Sequence, residues 1–395
     1  MNIRFMVKTS DFNGFHLKDD IVLEKEYYES EFEGIDNARY YIYRLENNER
    51  DEVMPLNNKI ELFSIVNCAY RSDYIYFCEY EIVDDKFTNF YLVKYNYITN
   101  SSKRIYGFKD NIKNYLNGRK NIKIFILNND CLLIQMALPK RSISGEFLGL
   151  HDYKMYLYNF KERQQVEVVD ENLTSNGIDT IIPYDENMCV IKTGFSLFCN
   201  PNFFKLDRKE VSIEGISCVN ISQLISEILL KKNNIVLNTI DQTYYTKTIP
   251  YAYVKSGYLI FSKINNETSD EVLTFYNLRT KKVKTCINRN VRTFKDLSQP
   301  YVIGGVPYIR INRKTVTQFL NLKKNKIDIE LENSRVINTI IEDIIILSET
   351  KKGFIGNKNY INIYRYPSMN VLHTEKATYK DCIYADDGTL YIFVN

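Results

Sequence analysis

Apolar and polar residues alternate with a period of two along most of the chain, and short polar turns interrupt the alternation. A period of two places successive side chains on opposite faces of a β-strand, so the pattern predicts short strands joined by turns. Seven segments share an aromatic-rich strand, a basic or Asn-containing turn and a returning strand; they begin at Tyr40, Phe90, Lys154, Phe203, Val272, Thr315 and Tyr360. The sequence therefore predicts a repeated outer hairpin.

A second hairpin precedes nearly every outer hairpin. Its turns fall at residues 71–73, 128–130, 185–187, 255–257, 304–305, 342–343 and 386–388. These turns contain Asn, Asp, Gly or Ser, of which Asn, Asp and Gly tolerate positive φ or hydrogen-bond their own backbone. Two hairpins make a four-stranded unit, and the spacing of 44 residues between Leu278, Leu322 and Tyr366 is typical of a β-propeller blade.

Seven outer hairpins predict an all-β, seven-bladed propeller over residues 38–395. The first repeat, at Tyr40, contains only an outer hairpin, and the last, at Asp381–Asn395, contains only an inner one. We therefore expect N-terminal outer strands to pair with C-terminal inner strands, because a closed ring leaves no free sheet edge. The outer hairpin, most clearly at Leu273–Val283, resembles the broad YVTN or quinoprotein-like class of seven-bladed propellers. The resemblance implies a fold and no particular activity.

Two segments depart from the repeat. Residues 1–37 contain nine acidic and four basic residues, and we expect an acidic extension packed on or near the propeller. Such an extension would compete with an anionic partner for a basic surface. Residues 220–232 carry apolar side chains at spacings of three and four, which predicts one inserted helix. That helix either packs over the rim of the ring or docks a partner.

The long connections are predicted on one side of the ring. In a blade of antiparallel strands, the connections from the second to the third strand and from one blade to the next emerge on the same side, which we call the loop face. Functional residues concentrate in loops on a rigid scaffold, and several of these loops are basic. The candidate binding residues are Lys109, Arg119, Lys140, Arg141, His151, Arg289, Arg292, Lys351 and Lys352.

Composition narrows the possible chemistry. Lys and Arg number 52 against 49 Asp and Glu, and the net charge of +3 does not by itself indicate nucleic-acid binding. The eight cysteines include no CxxC pair, the three histidines lie far apart, and no nucleotide-binding or metalloprotease motif occurs. We therefore predict no cofactor, no metal site and no catalytic residue. The one enzyme-like alternative is an acid–base pair in the loop that holds Ser142, Ser144, Glu146, His151 and Asp152.

These features favour a non-enzymatic, monomeric binding or scaffold module that engages a protein or peptide on the loop face. Two alternatives stay open: a carbohydrate-binding or carbohydrate-active propeller, and a propeller that binds an anionic ligand or nucleic acid through its basic loops. No apolar run reaches the roughly 18 residues of a membrane helix, and the N-terminus lacks the apolar run of a signal peptide. We therefore expect a cytoplasmic protein, and the many Asn, Ile and Lys residues, whose codons are AT-rich, indicate an AT-rich bacterial genome.

Overall fold

The computed structural model describes residues 2–8, 12, 14–27, 38–53, 61–65, 67–68, 73–83, 87–111, 122–141, 147–194, 214–243, 247–265, 267–289, 291, 297–332, 334–352 and 357–395. In these residues, 32 strands form eight sheets, accompanied by two helices. Each sheet is one blade of a β-propeller. The blades follow one another in chain order around a central channel, and we number the strands of each blade outward from that channel.

The first half of the chain forms blades 1 to 4. It begins with β1 (Asn2–Val7), which belongs to blade 8. Blade 1 contains β2 (Gly14–Lys18), β3 (Ile21–Tyr27), β4 (Ala38–Arg44) and β5 (Glu49–Glu52). Blade 2 contains β6 (Glu61–Ile65), β8 (Tyr74–Ile82), β9 (Phe87–Asn96) and β10 (Ser101–Asn111), while the short β7 (Asn67–Cys68) adds to the inner edge of blade 3. Blade 3 itself contains β11 (Ile122–Ile126), β12 (Cys131–Arg141), β13 (Phe147–Asn159) and β14 (Gln164–Glu167). Helix α1 (Glu171–Asn176) leads to blade 4, which contains β15 (Ile178–Asp185), β16 (Met188–Thr193), β17 (Gly215–Asn220), helix α2 (Ile221–Leu229) and β18 (Asn238–Gln242).

The second half of the chain is more regular. Blade 5 contains β19 (Lys247–Lys255), β20 (Tyr258–Asn265), β21 (Asp270–Asn277) and β22 (Val283–Asn288). Blade 6 contains β23 (Gln299–Ile303), β24 (Val306–Asn312), β25 (Val316–Asn321) and β26 (Lys326–Glu332). Blade 7 contains β27 (Arg335–Ile341), β28 (Ile344–Lys352), β29 (Asn357–Arg365) and β30 (Asn370–Glu375). Blade 8 contains β31 (Tyr379–Tyr384), β32 (Thr389–Val394) and, as its third strand, β1.

The core lies between the blades. Eight clusters of buried apolar side chains occupy the eight interfaces between neighbouring blades. Each sheet supplies both of its faces, as the period of two requires. The cluster between blades 8 and 1 contains Tyr391 and Phe393 from β32 and Tyr43 and Leu45 from blade 1. The ring is therefore closed by the same kind of contact that joins the other blades.

Buried polar side chains add a second link between blades. In three blades, a buried Gln or Glu accepts a hydrogen bond from a backbone N–H at or just before the inner strand of the next blade. The pairs are Gln135 with Ile178 at 2.6 Å, Glu214 with Ile249 at 3.0 Å and Glu271 with Ser298 at 2.8 Å. A buried N–H without a partner is costly, so these bonds fix the position of each inner strand.

The predicted blade count is wrong, because the chain has eight blades and not seven. The missing inner hairpin is β2–β3, which lies in the segment predicted as an acidic extension. Its alternation was obscured because Lys and Glu follow Ile21–Leu23, and Glu24 is buried although it is charged. Glu24 is ion-paired with Lys8 and Arg50, which makes its burial tolerable.

The strands that close the ring also differ from the prediction. The outer hairpin that begins near Tyr40 pairs with β3 in blade 1, not with the C-terminal strands. Closure is made instead by β1, which runs parallel to β32 with Asn2 opposite Thr389 and Val7 opposite Val394. The propeller fold and the contribution of both chain ends to one blade are features that the sequence predicted.

The predicted helix is confirmed as α2. Asn220 caps it by accepting a hydrogen bond from the Gln223 N–H at 2.9 Å, and its apolar stripe is buried in the interface between blades 3 and 4. The helix follows β17 and precedes β18, so it lies between the third and fourth strands of blade 4 and not in one of the connections at the loop face. Helix α1 is a second helix that the prediction lacked, capped by Asp170. The outer hairpin predicted at Phe203 lies outside the described residues.

Candidate functional site in the central channel

The two ends of the channel differ. The inner strands of all blades run in the same direction, so their first residues share one end of the channel and their last residues share the other. The first residues follow the connections between blades and therefore lie at the loop face. We call this end the mouth, and we call the opposite end, which Lys255 and β7 narrow, the closed end.

Lys255 crosses the closed end. It is the last residue of β19 in blade 5, and its Nζ donates a hydrogen bond of 2.9 Å to the carbonyl oxygen of Ile340, near the end of β27 in blade 7. Blade 6 separates these two blades, and blades 5 and 7 approach each other most closely at their inner strands. The lysine side chain therefore spans part of the channel. Burial lowers the pKa of Lys255.

A short strand narrows the same end. Residues Asn67 and Cys68 leave blade 2 and pair in parallel with Phe125 and Ile126, the last two residues of β11. This strand, β7, also contacts β15 of blade 4. Backbone at the inner edge of blade 3 must lie in the channel, because β11 is the innermost of the strands that belong to that blade. Strand β7 and Lys255 thus reduce the opening on opposite parts of the closed end.

Charged groups gather at the mouth. Lys123 and Asp179 are the second residues of β11 and β15, and the Lys123 Nζ lies 3.2 Å from Asp179 Oδ1. Lys192 on β16 lies 3.0 Å from Asp179 Oδ2 and 3.4 Å from Glu214 Oε2. The two inner-strand groups are each 33% exposed, whereas Lys192 and Glu214 are 3% and 1% exposed. The buried ion pair of Lys192 and Glu214 therefore lies beside the accessible pair of Lys123 and Asp179, and Lys192 contacts both Asp179 and Glu214.

Glu214 is the group of this cluster whose pKa is strongly shifted. Burial raises the pKa of its carboxyl to about 7, and the neighbouring Lys192 ammonium partly opposes that rise. The Ile249 N–H also favours the carboxylate, since it donates to Oε2. The cluster therefore changes its charge close to neutral pH.

This titration predicts a pH dependence of stability. The unfolded Glu214 carboxyl titrates near its ordinary value of 4.5 and the folded one near 7, so the folded state holds a proton that the unfolded state releases. This proton adds about 3 kcal/mol to the free energy of unfolding. The added stability is fully present below pH 4.5 and is lost as pH rises through 7. Urea unfolding across this range should show that Glu214→Gln gains stability relative to the native chain as pH rises. A difference between the two chains that stays constant with pH would contradict the assigned pKa.

Two tyrosines of the inner strand β19 are partly buried and pack against the core between blades 5 and 6. Tyr251 and Tyr253 on β19 have ring centroids 6.0 Å apart, and burial raises the pKa of Tyr253 to about 12. Across the ring, burial raises the pKa of Cys382 on β31 to about 12 as well. These groups are therefore neutral hydrogen-bonding and apolar surfaces at physiological pH, and Cys382 presents no thiolate. The sequence did not single out the charged residues of the mouth, because single charges that alternate with apolar residues are typical of any β-strand.

The predicted binding residues fall at strand ends or outside the described residues. Lys109 lies near the end of β10 and is exposed, Arg289 follows β22, and Lys351 and Lys352 end β28. Lys140 and Arg141 end β12, and His151 lies in β13, where it is opposite Pro139. Strand directions put these positions on the side of the mouth, but no described contact brings them into one site. Arg119 and Arg292 lie outside the described residues, as do Ser142, Ser144 and Glu146 of the enzyme-like loop.

Other chemistry is sparse in the described part of the chain. The ranges given above hold no group of three or more His, Cys, Asp or Glu side chains placed to bind a metal ion. Cys131, Cys189, Cys218, Cys286 and Cys382 are free thiols. Of the helices described here, neither has the length and apolar character needed to cross a membrane.

Comparison with known proteins identifies the fold and no family. No protein-family model and no curated protein matches the chain. A structure from a study of two prolyl endopeptidases is similar with a TM-score of 0.48 and 7% identity, over 96% of this chain and 53% of that chain. Dipeptidyl peptidase 4 of Porphyromonas gingivalis gives 0.48 and 10%, over 94% and 55%. The β-propeller domain of the Trilobed protease from Pyrococcus furiosus gives 0.40 and 11%, over 93% and 95%.

These similarities concern the fold alone, and the chain spans about half the length of the first two proteins. They nevertheless correct one prediction. The prediction of a non-enzymatic binding or scaffold module is corrected here, since the three propeller structures named above come from peptidases.

Proposed function

We propose that this chain is the propeller of a peptide-processing system and that its central channel, not its outer loops, admits the peptide. The observation that carries the proposal is the asymmetry of the channel. One end holds accessible opposite charges, and Lys255 and β7 obstruct the other. The names of the peptidases with similar propellers agree with this function, but the channel geometry supports it independently.

The channel chemistry suits an extended peptide. A peptide carries a terminal ammonium, a terminal carboxylate and many backbone amides. Asp179 and Lys123 at the mouth offer a charge of each sign, and both remain about one-third exposed. The inner strand that carries Tyr251 and Tyr253, both partly exposed, would offer aromatic surface to the side chains that follow. We expect unfolded segments, and not folded proteins, to enter a channel that Lys255 and β7 narrow at one end.

Lys255 then limits what passes the closed end. Replacing Lys255 with Ala removes a side chain that spans part of the channel and leaves the Ile340 carbonyl without this side-chain donor. We expect the variant to speed the processing of a long peptide relative to a short one by about tenfold, equivalent to a barrier lowered by about 1.4 kcal/mol. Lys247→Ala is the matched control, because Lys247 is an exposed lysine at the opposite end of the same strand.

The experiment uses a strain of the source organism that lacks this chain. Cleavage of a short peptide, a long peptide and a folded protein is followed by mass spectrometry in lysates complemented with the native chain, Lys255→Ala, Lys247→Ala or nothing. The proposal predicts slower peptide cleavage without the chain and a raised ratio of long to short peptide only with Lys255→Ala. Unchanged peptide cleavage in the deletion strain, or equal ratios for the two lysine variants, would refute it.

A further inference from the structure

Blade 8 lacks a fourth strand among the described residues. Its sheet contains β31, β32 and β1, whereas the other seven blades have four or five strands. Strand β1 is therefore an edge strand on the outside of the ring. An edge strand presents a row of backbone donors and acceptors, which makes it a template for another extended chain.

The backbone groups at this edge follow from the pairing of β1. The Lys8 N–H donates to the Val394 carbonyl oxygen at 2.8 Å, so the even-numbered residues of β1 direct their backbone groups toward β32. In a parallel ladder, the N–H and C=O of one residue point to the same side and alternate along the strand. Ile3, Phe5 and Val7 therefore direct theirs outward.

The edge lies in a slot between two complete blades. Ile3 and Phe5 pack toward blade 7, where the Phe5 ring lies 5.1 Å from His373, and Met6 packs toward blade 1. A cavity of about 520 Å³ separates β1 from the β4–β5 turn and is lined by Arg4 to Val7 and by Leu45, Glu46 and Asn48. The fourth strands of the flanking blades, β5 and β30, stand one strand spacing further out, about 4.8 Å.

We propose that this slot binds one extended peptide segment of a partner protein, which completes blade 8 as its fourth strand. The occupant would continue the β31–β32–β1 ladder, the interface that already closes the ring. A second copy of the chain does not fit, because its own recessed β1 is flanked by longer blades that would collide with blades 1 and 7. Arg4 and Glu46 give the cavity wall one charge of each sign, which suits a segment with both. This inference does not depend on the proposed function of the channel.

A synthetic peptide with the sequence of β26 is the probe, because β26 is the fourth strand of blade 6 and carries apolar residues and charges of both signs. Its binding to the full chain is measured by fluorescence anisotropy and located by hydrogen exchange. We expect binding that slows exchange at the amides of Ile3, Phe5 and Val7. The same peptide N-methylated at alternate residues should not bind, since it cannot form the ladder.

The matched variants are Val7→Pro and Val7→Ala. Val7 is 82% exposed, so neither change disturbs the core, but only proline removes the outward N–H. We expect Val7→Pro to weaken peptide binding about fivefold and Val7→Ala to leave it unchanged. Absent binding, equal binding of the N-methylated peptide, or equal effects of the two variants would overturn the proposal. So would slow exchange of these amides in the free monomer, or a dimer that Val7→Pro abolishes, because the slot would then belong to the chain itself or to a second copy.

Discussion

Replacing Lys192 with Met is expected to lower the free energy of unfolding by about 3–5 kcal/mol at mildly alkaline pH. Lys192 is almost fully buried between Asp179 and Glu214, and its loss leaves the Glu214 carboxylate buried without its cation. Glu214 would then take up a proton, and the cost of doing so grows with pH. At acidic pH, Glu214 is neutral in both chains, so the destabilisation should be smaller. What is then lost is the ion pair of Lys192 with the partly exposed Asp179.

Lys263→Met is the matched control for this prediction. Lys263 pairs with Asp241 at 2.7 Å, but both side chains are about one-quarter exposed. We expect it to cost no more than about 1 kcal/mol, with no marked dependence on pH. Urea unfolding of the three chains at acidic and alkaline pH measures both effects. Equal losses for the two lysines would show that the mouth cluster is not a buried, energetically coupled site.

Deletion of residues 2–7 is expected to lower the free energy of unfolding about as much as Lys192→Met does. It removes β1 together with Ile3, Phe5 and Met6, which pack against blades 7 and 1. Partial burial of three large apolar side chains contributes about 4–6 kcal/mol, and the parallel ladder to β32 is lost as well. We expect a large fall in the midpoint of urea unfolding and rapid proteolysis of the exposed C-terminal hairpin.

Val7→Ala separates the loss of the strand from the loss of a side chain. Because Val7 is exposed at the end of β1, the substitution should change stability by less than about 0.5 kcal/mol. An unchanged unfolding midpoint after deletion of β1 would show that the ring does not depend on this closing strand.

The repeat unit could be predicted because its signals are local. Alternating apolar residues and turns such as Asn128–Asp130 and Lys255–Gly257 define hairpins without knowledge of the rest of the chain. The inner hairpin of blade 1 escaped prediction because its charges, including Glu24, suggest a solvated segment. Glu24 can be buried only because it pairs with Lys8, which follows β1, and with Arg50 of β5. Neither partner is close to Glu24 in the sequence.

The residues of the channel site also depend on partners that are distant in the sequence. Lys255 gains its role from Ile340, which lies two blades away, and Glu214 gains its raised pKa from burial beside residues of blades 4 and 5. Neither residue belongs to a motif. By contrast, the basic loop residues stood out in the sequence because charge is visible there, but charge alone does not place them in a common site.

We expect peptides to enter the channel at the charged mouth and to reach Lys255, which limits their further passage. The most direct measurement is photo-crosslinking of a short peptide with a diazirine side chain to the intact chain, with the labelled residues mapped by mass spectrometry. The account predicts labels on the inner strands, around Lys123 and Asp179 and along β19 up to Lys255. Labels confined to outer strands and surface loops would contradict it.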